Sequence, residues 1–354
     1  MCKIGMMQQI RHVPEAGAGT LVVLCGGMSD EHEVSLASAR AVIGAIGDRR
    51  PVRPVVITRR GTLLSDRASH ALLGGTGDPP SGADERDLAS LVLAPDDVVF
   101  PLLHGPYGED GSVQGWLRML GITHVGSGVH ASAVGMDKLS MKAVFASNGL
   151  PQVAYRGVTW GRYHPAPDAV VASLATLGLP LFVKPANLGS SVGIHKAANE
   201  SALRAALDDA FRYDRRVIVE AAVPEVRELE VAILGNGDPQ VSPVGEIRYD
   251  GVFYDYHAKY TPGAAQLLIP APVGAAVAER ATRLARAAFE AIDAVGLARV
   301  DLFYDAAEDR LLVNEINTMP GFTATSMYPR LWAAAGIAYD DLIERLVALA
   351  RAAT

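Results

Sequence analysis

The sequence has few cysteines and no long apolar run. Cys2 and Cys25 are its only cysteines, and they form neither a C-x-x-C pair nor a Cys/His cluster. The sequence therefore predicts neither a disulfide framework nor a structural zinc site. No run of about 18 apolar residues occurs, and residues 1–19 contain no apolar segment of signal-peptide length. We therefore expect a cytoplasmic protein with a flexible tail at residues 1–19 and no membrane partner.

An excess of positive charge is also absent. The 32 basic and 39 acidic side chains give a formal net charge of −7. This balance provides neither the basic stripe that binds nucleic acid nor the polybasic surface that binds anionic lipid. Small molecules are therefore the expected ligands. With 354 residues, 49% of them hydrophobic, the chain is expected to be globular and to form two or three domains.

The first part of the chain has the pattern of a small α/β domain. Apolar runs at residues 20–27, 52–58 and 97–105 predict strands, and the segment after the first run has helical periodicity. Loops gather at the strand ends of such a domain, which would bring Glu31 and His104 together. Each residue also has a simpler explanation. Glu31 suits the first turn of a helix, and His104 could be an ordinary loop residue.

Two predicted strands within residues 298–326 carry a candidate metal site. Arg299 and Asp301 are two residues apart on the first strand and share a face, and Glu315 and Asn317 do the same on the second. Two carboxylates and an amide oxygen suit a hard cation such as Mg²⁺. Arg299 cannot be a ligand and is expected to hold a phosphate or a carboxylate. A hairpin with a solvated acidic face would give the same pattern.

A Pro-Gly turn follows these strands. Gly321 has no side chain, so the backbone amides of the turn can approach a ligand closely. Such amides can stabilise a developing oxyanion.

Residues 180–197 predict a strand, a Gly/Ser loop and a second strand. The loop can bind phosphates through its N–H groups and the hydroxyls of Ser190 and Ser191, with Lys184 at the end of the first strand. Lys138, in a helix predicted over residues 136–151, supports phosphate binding. No G-K-[ST] follows the glycines, so this is not a Walker A loop, and a flexible hairpin is the alternative.

The remaining chain offers acidic strand ends and one long loop. Glu220 and Glu228 lie at the mouths of two predicted strands, where carboxylates can bind ribose hydroxyls, although exposed strand-end acids are common. Residues 247–270 contain Lys259 and Tyr260 and are predicted to form either an active-site loop or an ordered surface loop. Further helices are predicted over residues 199–213, 274–295 and 340–353.

The motifs together resemble those of the D-alanine–D-alanine ligases of the ATP-grasp superfamily. The resemblance extends from about residue 20 over nearly the whole chain and rests on GGMSDEHEVSL, HGPYGEDG, MDKLSMK, KPANLGSSVG, YDYHAKY and RVDLFYD…VNEINTMPGFTATS. It implies an α/β (α+β) three-domain ATP-grasp fold with a Rossmann-like N-terminal domain. The implied domains are residues 20–128, 129–222 and 223–354, and the lid is residues 247–270.

The resemblance also implies the residues of the site. Those implied to bind ATP are Lys138, Lys184, Gly189, Ser190, Ser191, Glu220, Ala221, Val223 and Glu228. Those implied to hold two Mg²⁺ or Mn²⁺ ions are Asp301, Glu315 and Asn317. The implied catalytic groups are Glu31, Ser190, Tyr260, Arg299 and the amide of Gly321. The remaining D-alanine contacts are implied to be His104, Lys259, Ser326 and Met327.

The implied reaction is ATP-dependent ligation of two D-alanine molecules through an acyl phosphate, for peptidoglycan precursor synthesis, by a homodimer. Within the same class, ligation of D-alanine to D-lactate or D-serine, or a peptide ligase of specialised metabolism, is the alternative. Tyr260 argues against lactate, since depsipeptide-forming relatives usually differ there. A nucleotide-binding protein without catalysis is the alternative of another class. Arg299, Lys259 and Ser326 argue against it, because nucleotide binding alone needs none of them.

Overall fold

The computed structural model describes residues 19–75, 80–189, 192–249 and 265–353. Within these ranges the strands form three sheets, each built from a separate part of the chain. The mixed α/β class predicted from the sequence is confirmed.

The first sheet is parallel at its centre. Its strands are β1 (Leu21–Gly26), β2 (Val52–Ile57), β3 (Leu63–Leu64), β4 (Glu85–Arg86), β5 (Val98–Pro101) and β6 (Thr123–His124). They lie in the order β4-β3-β2-β1-β5-β6, with β2, β1, β5 and β6 parallel. Every residue of β1 is buried, as expected for an apolar run inside a parallel sheet.

Five helices belong to this part of the described chain: three lie between strands of the first sheet, and two follow its last strand. They are α1 (His32–Ile46), α2 (Asp66–Gly74), α3 (Ser112–Met119), α4 (Val129–Met136) and α5 (Lys138–Ser147), with 3₁₀ turns at Gly47–Arg49, Gly82–Asp84 and Leu88–Ser90. The predicted helix over residues 136–151 is confirmed as α5. Its N-cap is Asp137, whose carboxylate accepts the Ser140 N–H at 2.8 Å. Gly149 follows the helix with a φ of 70°, a backbone conformation that favours glycine.

The second sheet is antiparallel and has its own core. Its strands are β7 (Tyr155–Thr159), β8 (Leu181–Pro185), β9 (His195–Ala197) and β10 (Arg216–Ala221), in the order β7-β10-β8-β9. Its helices are α6 (Trp160–Tyr163), α7 (Pro167–Ala175) and α8 (Glu200–Ala210). Buried apolar side chains of the helices and strands, Leu203 among them, form a core separate from those of the other sheets.

The third sheet carries the predicted metal residues. Its strands are β11 (Arg227–Gly235), β12 (Gln240–Val241), β13 (Gly245–Tyr249), β14 (Ala265–Leu268), β15 (Gly296–Asp305) and β16 (Arg310–Asn317). The order is β14-β13-β11-β15-β16, with β12 beside β11. The last helices are α9 (Ala275–Ala291), α10 (Met327–Ala334) and α11 (Tyr339–Ala352).

Helix α11 joins the first and third sheets. Its Leu342, Ile343 and Leu346 are fully buried in the same apolar core as Leu21 and Val23 of β1. The helix contacts α1, β5 and β6 as well as β11 and β15. The N-terminal sheet is therefore covered on one side by residues from the far end of the described chain. Among the described helices, none is long and apolar enough to cross a membrane.

Candidate active site

Two neighbouring cavities lie along the third sheet. The first has a volume of about 480 Å³. It is lined by residues that follow strands β1 and β5 of the first sheet and by residues at and after the end of β16. The second, of about 120 Å³, lies between the second and third sheets. Glu230, Arg299 and Glu315 line both cavities. These three side chains therefore mark the place where the contents of the two cavities would meet.

The predicted metal residues come together as the strand alternation requires. Asp301 lies opposite Glu315 in the β15–β16 pair, and Arg299 lies opposite Asn317. A bulge between Asp301 and Leu302 shifts the register immediately after this pair. The Asn317 Nδ2 donates to Asp301 Oδ2 at 3.1 Å. Two carboxylates and one amide on one face form an oxygen-rich donor set that fits Mg²⁺.

No group of three or more His, Cys, Asp or Glu in the described part of the chain is arranged to hold a metal. The fit of the predicted set to Mg²⁺ rests on the chemistry of its two carboxylates and one amide.

Arg299 is held between two acids. Its Nε and Nη2 each donate to an Asp301 carboxylate oxygen at 2.7 Å, and Nε lies 3.0 Å from Glu230 Oε2. Burial alone would lower the pKa of the Arg299 guanidinium, but Asp301 and Glu230 outweigh it and raise that pKa well above its usual value. The side chain is therefore a fixed positive charge at the junction of the cavities.

Glu31, His104 and Glu109 lie together at one end of the first cavity, so the predicted proximity of Glu31 and His104 is confirmed. His104 is buried, and its two ring nitrogens lie 3.2 Å from Ser38 Oγ and 3.1 Å from Met319 O. Burial lowers the pKa of His104, although the nearby Glu31 acts in the opposite direction. The neutral imidazole is thus favoured, with one nitrogen donating to the Met319 carbonyl.

Glu109 is an acid in an environment that favours its protonated form. Burial first and the Glu31 carboxylate second raise the pKa of Glu109 to about 8. Hydrogen bonds from the backbone of Gly105, at 2.8 Å, and of Met319 oppose this shift, as does Arg299. The end of the cavity around Glu31 is therefore acidic, which suits an ammonium group.

The Pro-Gly turn and the start of α10 form another wall of the first cavity. Gly321, Ser326 and Met327 all line it. Ser326 Oγ accepts the Thr323 N–H at 3.1 Å, and a Cβ added to Gly321 would lie 3.3 Å from the same oxygen. The backbone at Gly321 can therefore approach a ligand that also reaches Ser326.

Three side chains form a charged group at the second cavity, which two of them, Lys184 and Glu220, line. Glu220 Oε1 lies 2.9 Å from Lys142 Nζ, and Glu220 Oε2 lies 2.6 Å from Lys184 Nζ. Burial alone would raise the pKa of the Glu220 carboxyl, but the two lysines outweigh it and lower that pKa to about 2. The three groups therefore carry one negative and two positive charges.

The other predicted ATP-binding residues line one cavity or the other. Lys184, Glu220, Ala221, Val223 and Glu228 line the second cavity, and Glu228 Oε1 accepts from the Tyr249 hydroxyl at 2.6 Å. Lys138 and Gly189 line the first. Lys138 Nζ donates to the Leu188 carbonyl at 2.6 Å, and a Cβ added to Gly189 would lie 3.1 Å from Glu31 Oε2. The loop after β8 thus lies beside Glu31.

Four predicted site residues lie outside the described residues. They are Ser190, Ser191, Lys259 and Tyr260. Most of the lid predicted over residues 247–270 also lies outside them.

Lys142, Glu109 and Glu230 were missed by the sequence prediction. Lys142 follows Lys138 by four residues, which places both on one face of α5, and this signal was available. Glu230 follows Glu228 by two residues, so strand alternation puts both on one face. Glu109 is followed directly by a second acid, Asp110. No local sequence pattern shows which of these two side chains points into the protein.

Comparison with known protein families covers most of the chain. Residues 20–127 match the family described as D-ala D-ala ligase N-terminus, and residues 144–348 match D-ala D-ala ligase C-terminus. The chain belongs to the D-alanine–D-alanine ligase family. A D-alanine–D-alanine ligase of Deinococcus radiodurans is 52% identical to it over 332 residues, which are 93% of this chain and 98% of the relative.

Solved structures of this family have the same fold. A D-alanine–D-alanine ligase from Coxiella burnetii matches with a TM-score of 0.79 and 33% identity, covering 95% of this chain and 94% of that one. The VanG D-Ala:D-Ser ligase from Enterococcus faecalis matches with a TM-score of 0.81 and 31% identity, covering 94% of this chain and 99% of that one. The resemblance found in the motifs and the predicted ATP-grasp fold are thereby confirmed.

Proposed function

We propose that the protein joins two D-alanine molecules into D-alanyl-D-alanine with ATP as the phosphoryl donor, for peptidoglycan precursor synthesis. The observation that carries this proposal is the shared wall of the two cavities. Arg299 and Glu315 lie there, between an acidic cavity suited to amino acids and a lysine-containing cavity suited to a nucleotide. The 52% identical ligase supports the same activity.

In this proposal the nucleoside occupies the second cavity, and the phosphates extend to the junction with the first, which Lys138 and Gly189 line. Ala221, Val223 and Glu228 contact adenine and ribose, and Lys184 and Lys138 direct their charges at the phosphates. Gly189, Ser190 and Ser191 contribute backbone and hydroxyl donors to the phosphates. Lysine suits this role as a compact point charge that needs no fixed geometry.

The first D-alanine binds with its ammonium beside Glu31, and His104 lies beside it. Its carboxylate attacks the γ-phosphorus, which forms an acyl C–O–P linkage and breaks the bond to ADP. The amine of the second D-alanine, once deprotonated, then attacks the acyl carbon, and phosphate leaves. Arg299 and the Gly321 amide stabilise the negative charge that develops on the acyl oxygen.

The second D-alanine is held by its carboxylate. Lys259 supplies a positive charge and Ser326 a hydroxyl, with Met327 beside them. Tyr260 and Ser190 complete a hydrogen-bonded link to Glu31. With these assignments, selection of D-alanine as the second substrate depends on polar groups. Polar groups reject a wrong substrate more strongly than apolar contacts do.

Asp301, Glu315 and Asn317 hold two Mg²⁺ or Mn²⁺ ions in this proposal. Bound divalent ions neutralise charge on the phosphate oxygens during phosphoryl transfer. Arg299 can remain near this group, because Glu230 also lies 3.0 Å from its Nε.

We further propose three domains, residues 20–128, 129–222 and 223–354, in a cytoplasmic homodimer. A D-alanine–D-serine ligase is the second candidate, since the VanG D-Ala:D-Ser ligase has a similar fold at 31% identity. Its lower identity, compared with 52% for the D-alanine–D-alanine ligase, favours the proposed substrate.

The test is phosphate release and product analysis with ATP, Mg²⁺ and D-alanine, repeated with D-lactate or D-serine added. We expect D-alanyl-D-alanine as the main product in every mixture. A main product of D-alanyl-D-serine would establish the second candidate. ATP binding without any ligated product would show a nucleotide-binding protein without catalysis.

A further inference from the structure

Lys142 is a buried cation for which the proposed reaction has no direct use. Only 1% of its side chain is exposed, compared with 11% for Lys184, which lines the nucleotide cavity. Its Nζ lies 2.9 Å from Glu220, 3.5 Å from the Asn314 carbonyl and 5.7 Å from the centre of the Tyr155 ring. Lys142 does not itself line the second cavity, whereas its ion-pair partner Glu220 does.

The charges around Lys184 explain why a second lysine is needed. Lys184 forms an ion pair with Glu220, and Glu315 and Glu228 also face it. If Lys184 alone neutralised Glu220, the pair would carry no net charge for an anionic ligand. Lys142 binds the other oxygen of the same carboxylate. The group of Lys142, Glu220 and Lys184 then keeps one net positive charge.

We propose that Lys142 is a positioning residue that neutralises Glu220, so that the charge of Lys184 remains available to the phosphates of the bound nucleotide. This inference rests on the proposed function, because it takes the second cavity as the nucleotide site. It predicts that Lys142 contributes to the binding of phosphates and not to the binding of the nucleoside. Buried charges are weakly screened, so the contribution should be large enough to measure.

The test compares the affinities of ADP and adenosine at one fixed Mg²⁺ concentration. Methionine has a similar unbranched side chain without the charge, so Lys142→Met should weaken ADP binding by about tenfold and change adenosine binding little. Lys142→Arg keeps the charge and should retain the wild-type ratio of ADP to adenosine affinity. Lys196→Met is the matched control. Lys196 is exposed beside the Phe182 ring, and water screens its charge.

A double variant separates charge from structure. The net charges of the three-residue group are +1 in the wild type, 0 in Lys142→Met, +2 in Glu220→Gln and +1 in Lys142→Met/Glu220→Gln, counted from the two ion pairs. The ratio of ADP affinity to adenosine affinity should rise with this net charge. The double variant should therefore recover the ratio lost in Lys142→Met.

Two results would overturn the inference. One is an equal loss of ADP and adenosine affinity in Lys142→Met, which would make Lys142 a structural residue of the pocket. The other is a double variant with a ratio no higher than that of Lys142→Met. A wild-type protein that binds adenosine and ADP equally, or forms no dipeptide, would instead contradict the proposed function.

Discussion

Glu109 shows how a single carboxyl group depends on its surroundings. It shares a cavity with Glu31, and its pKa is raised to about 8 by burial and by that neighbour. A folded-state pKa above the unfolded value means that the folded protein holds a proton which the unfolded chain releases. The contribution of Glu109 to stability is thus fully present below the usual pKa of 4.5 and is lost as the pH rises through about 8.

We expect Glu109→Gln to remove this pH dependence. The wild type should lose stability relative to the variant between pH values of about 5 and 8, because only the wild type must ionise this buried group. Urea unfolding midpoints measured across that range provide the check. Glu33→Gln, which changes an exposed acid in α1, is the control and should follow the wild type. A constant difference between wild type and Glu109→Gln would contradict the assignment.

Substitution of Glu315 is expected to cause a large loss of ligase activity. Glu315→Gln removes a carboxylate at the junction of the cavities and should lower dipeptide formation by about 100-fold or more, because ions that neutralise phosphate charge contribute several kcal/mol. The fold should persist, since Glu315 lies on a polar face. Steady-state turnover, with circular dichroism for the fold, tests this.

The control for that change is Glu308→Gln in the exposed turn of the same hairpin. It removes an equal charge from the turn that joins the same two strands. Equal turnover in the two variants would remove Glu315 from the proposed metal site.

The shared face of Arg299 and the proposed metal residues could be predicted because side chains of a strand alternate with a period of two. Alternation alone placed Asp301, Glu315 and Asn317 on one face. The ion pairs of Arg299 with Glu230 and of Glu220 with Lys142 and Lys184 could not be predicted, because each joins elements distant in sequence. The partner of a charged side chain depends on the packing of whole elements.

Helix α5 carries two of the lysines discussed above. Lys138 is its first residue, and Lys142 follows one turn later. Asp137 caps the helix and also forms an ion pair with Arg216 of β10. One carboxylate thus fixes the start of α5 and ties it to the second sheet.

Two substitutions of Asp137 should separate these roles. Asn is as good an N-cap as Asp, so Asp137→Asn loses only the ion pair, whereas Asp137→Ala loses both. We expect Asp137→Ala to be less stable than Asp137→Asn by about 1 kcal/mol. Urea unfolding of the two variants measures the difference. Identical midpoints would mean that the cap contributes nothing to the stability of α5.

The local sequence pattern predicted the helices but not their exact first and last residues. The helix predicted over residues 274–295 ends at Ala291, since Asp293 has a φ of 56°, which a helix cannot include. The helices predicted over residues 199–213 and 340–353 are confirmed as α8 and α11, each with its bounds moved by one to three residues. The order of strands within each sheet could not be predicted, because alternation identifies a face and not a neighbour.

Helix α11 packs into one apolar core together with residues of the first and third sheets, whereas the second sheet has a core of its own. We expect Leu346→Ala in α11 to cost about 2–5 kcal/mol, because Leu346 is fully buried. Amide exchange should then accelerate in both β1 and β15.

Leu203→Ala in α8 is the matched control. Leu203 is equally buried, but it belongs to the core of the second sheet. Its substitution should accelerate exchange in β8 and β10 and leave β1 unchanged. Acceleration restricted to the third sheet in Leu346→Ala would show that the shared core is not one cooperative unit.

The pairing of Arg50 with Glu344 joins residues 294 positions apart, beside the contact of α1 with α11. During synthesis β1 and its neighbours leave the ribosome long before α11 exists. The face that α11 will cover must then remain exposed to water, or to a chaperone, until Tyr339–Ala352 has been translated. Exposed apolar surface of this kind favours aggregation. The first sheet to be made is therefore covered only after the last described helix has been made.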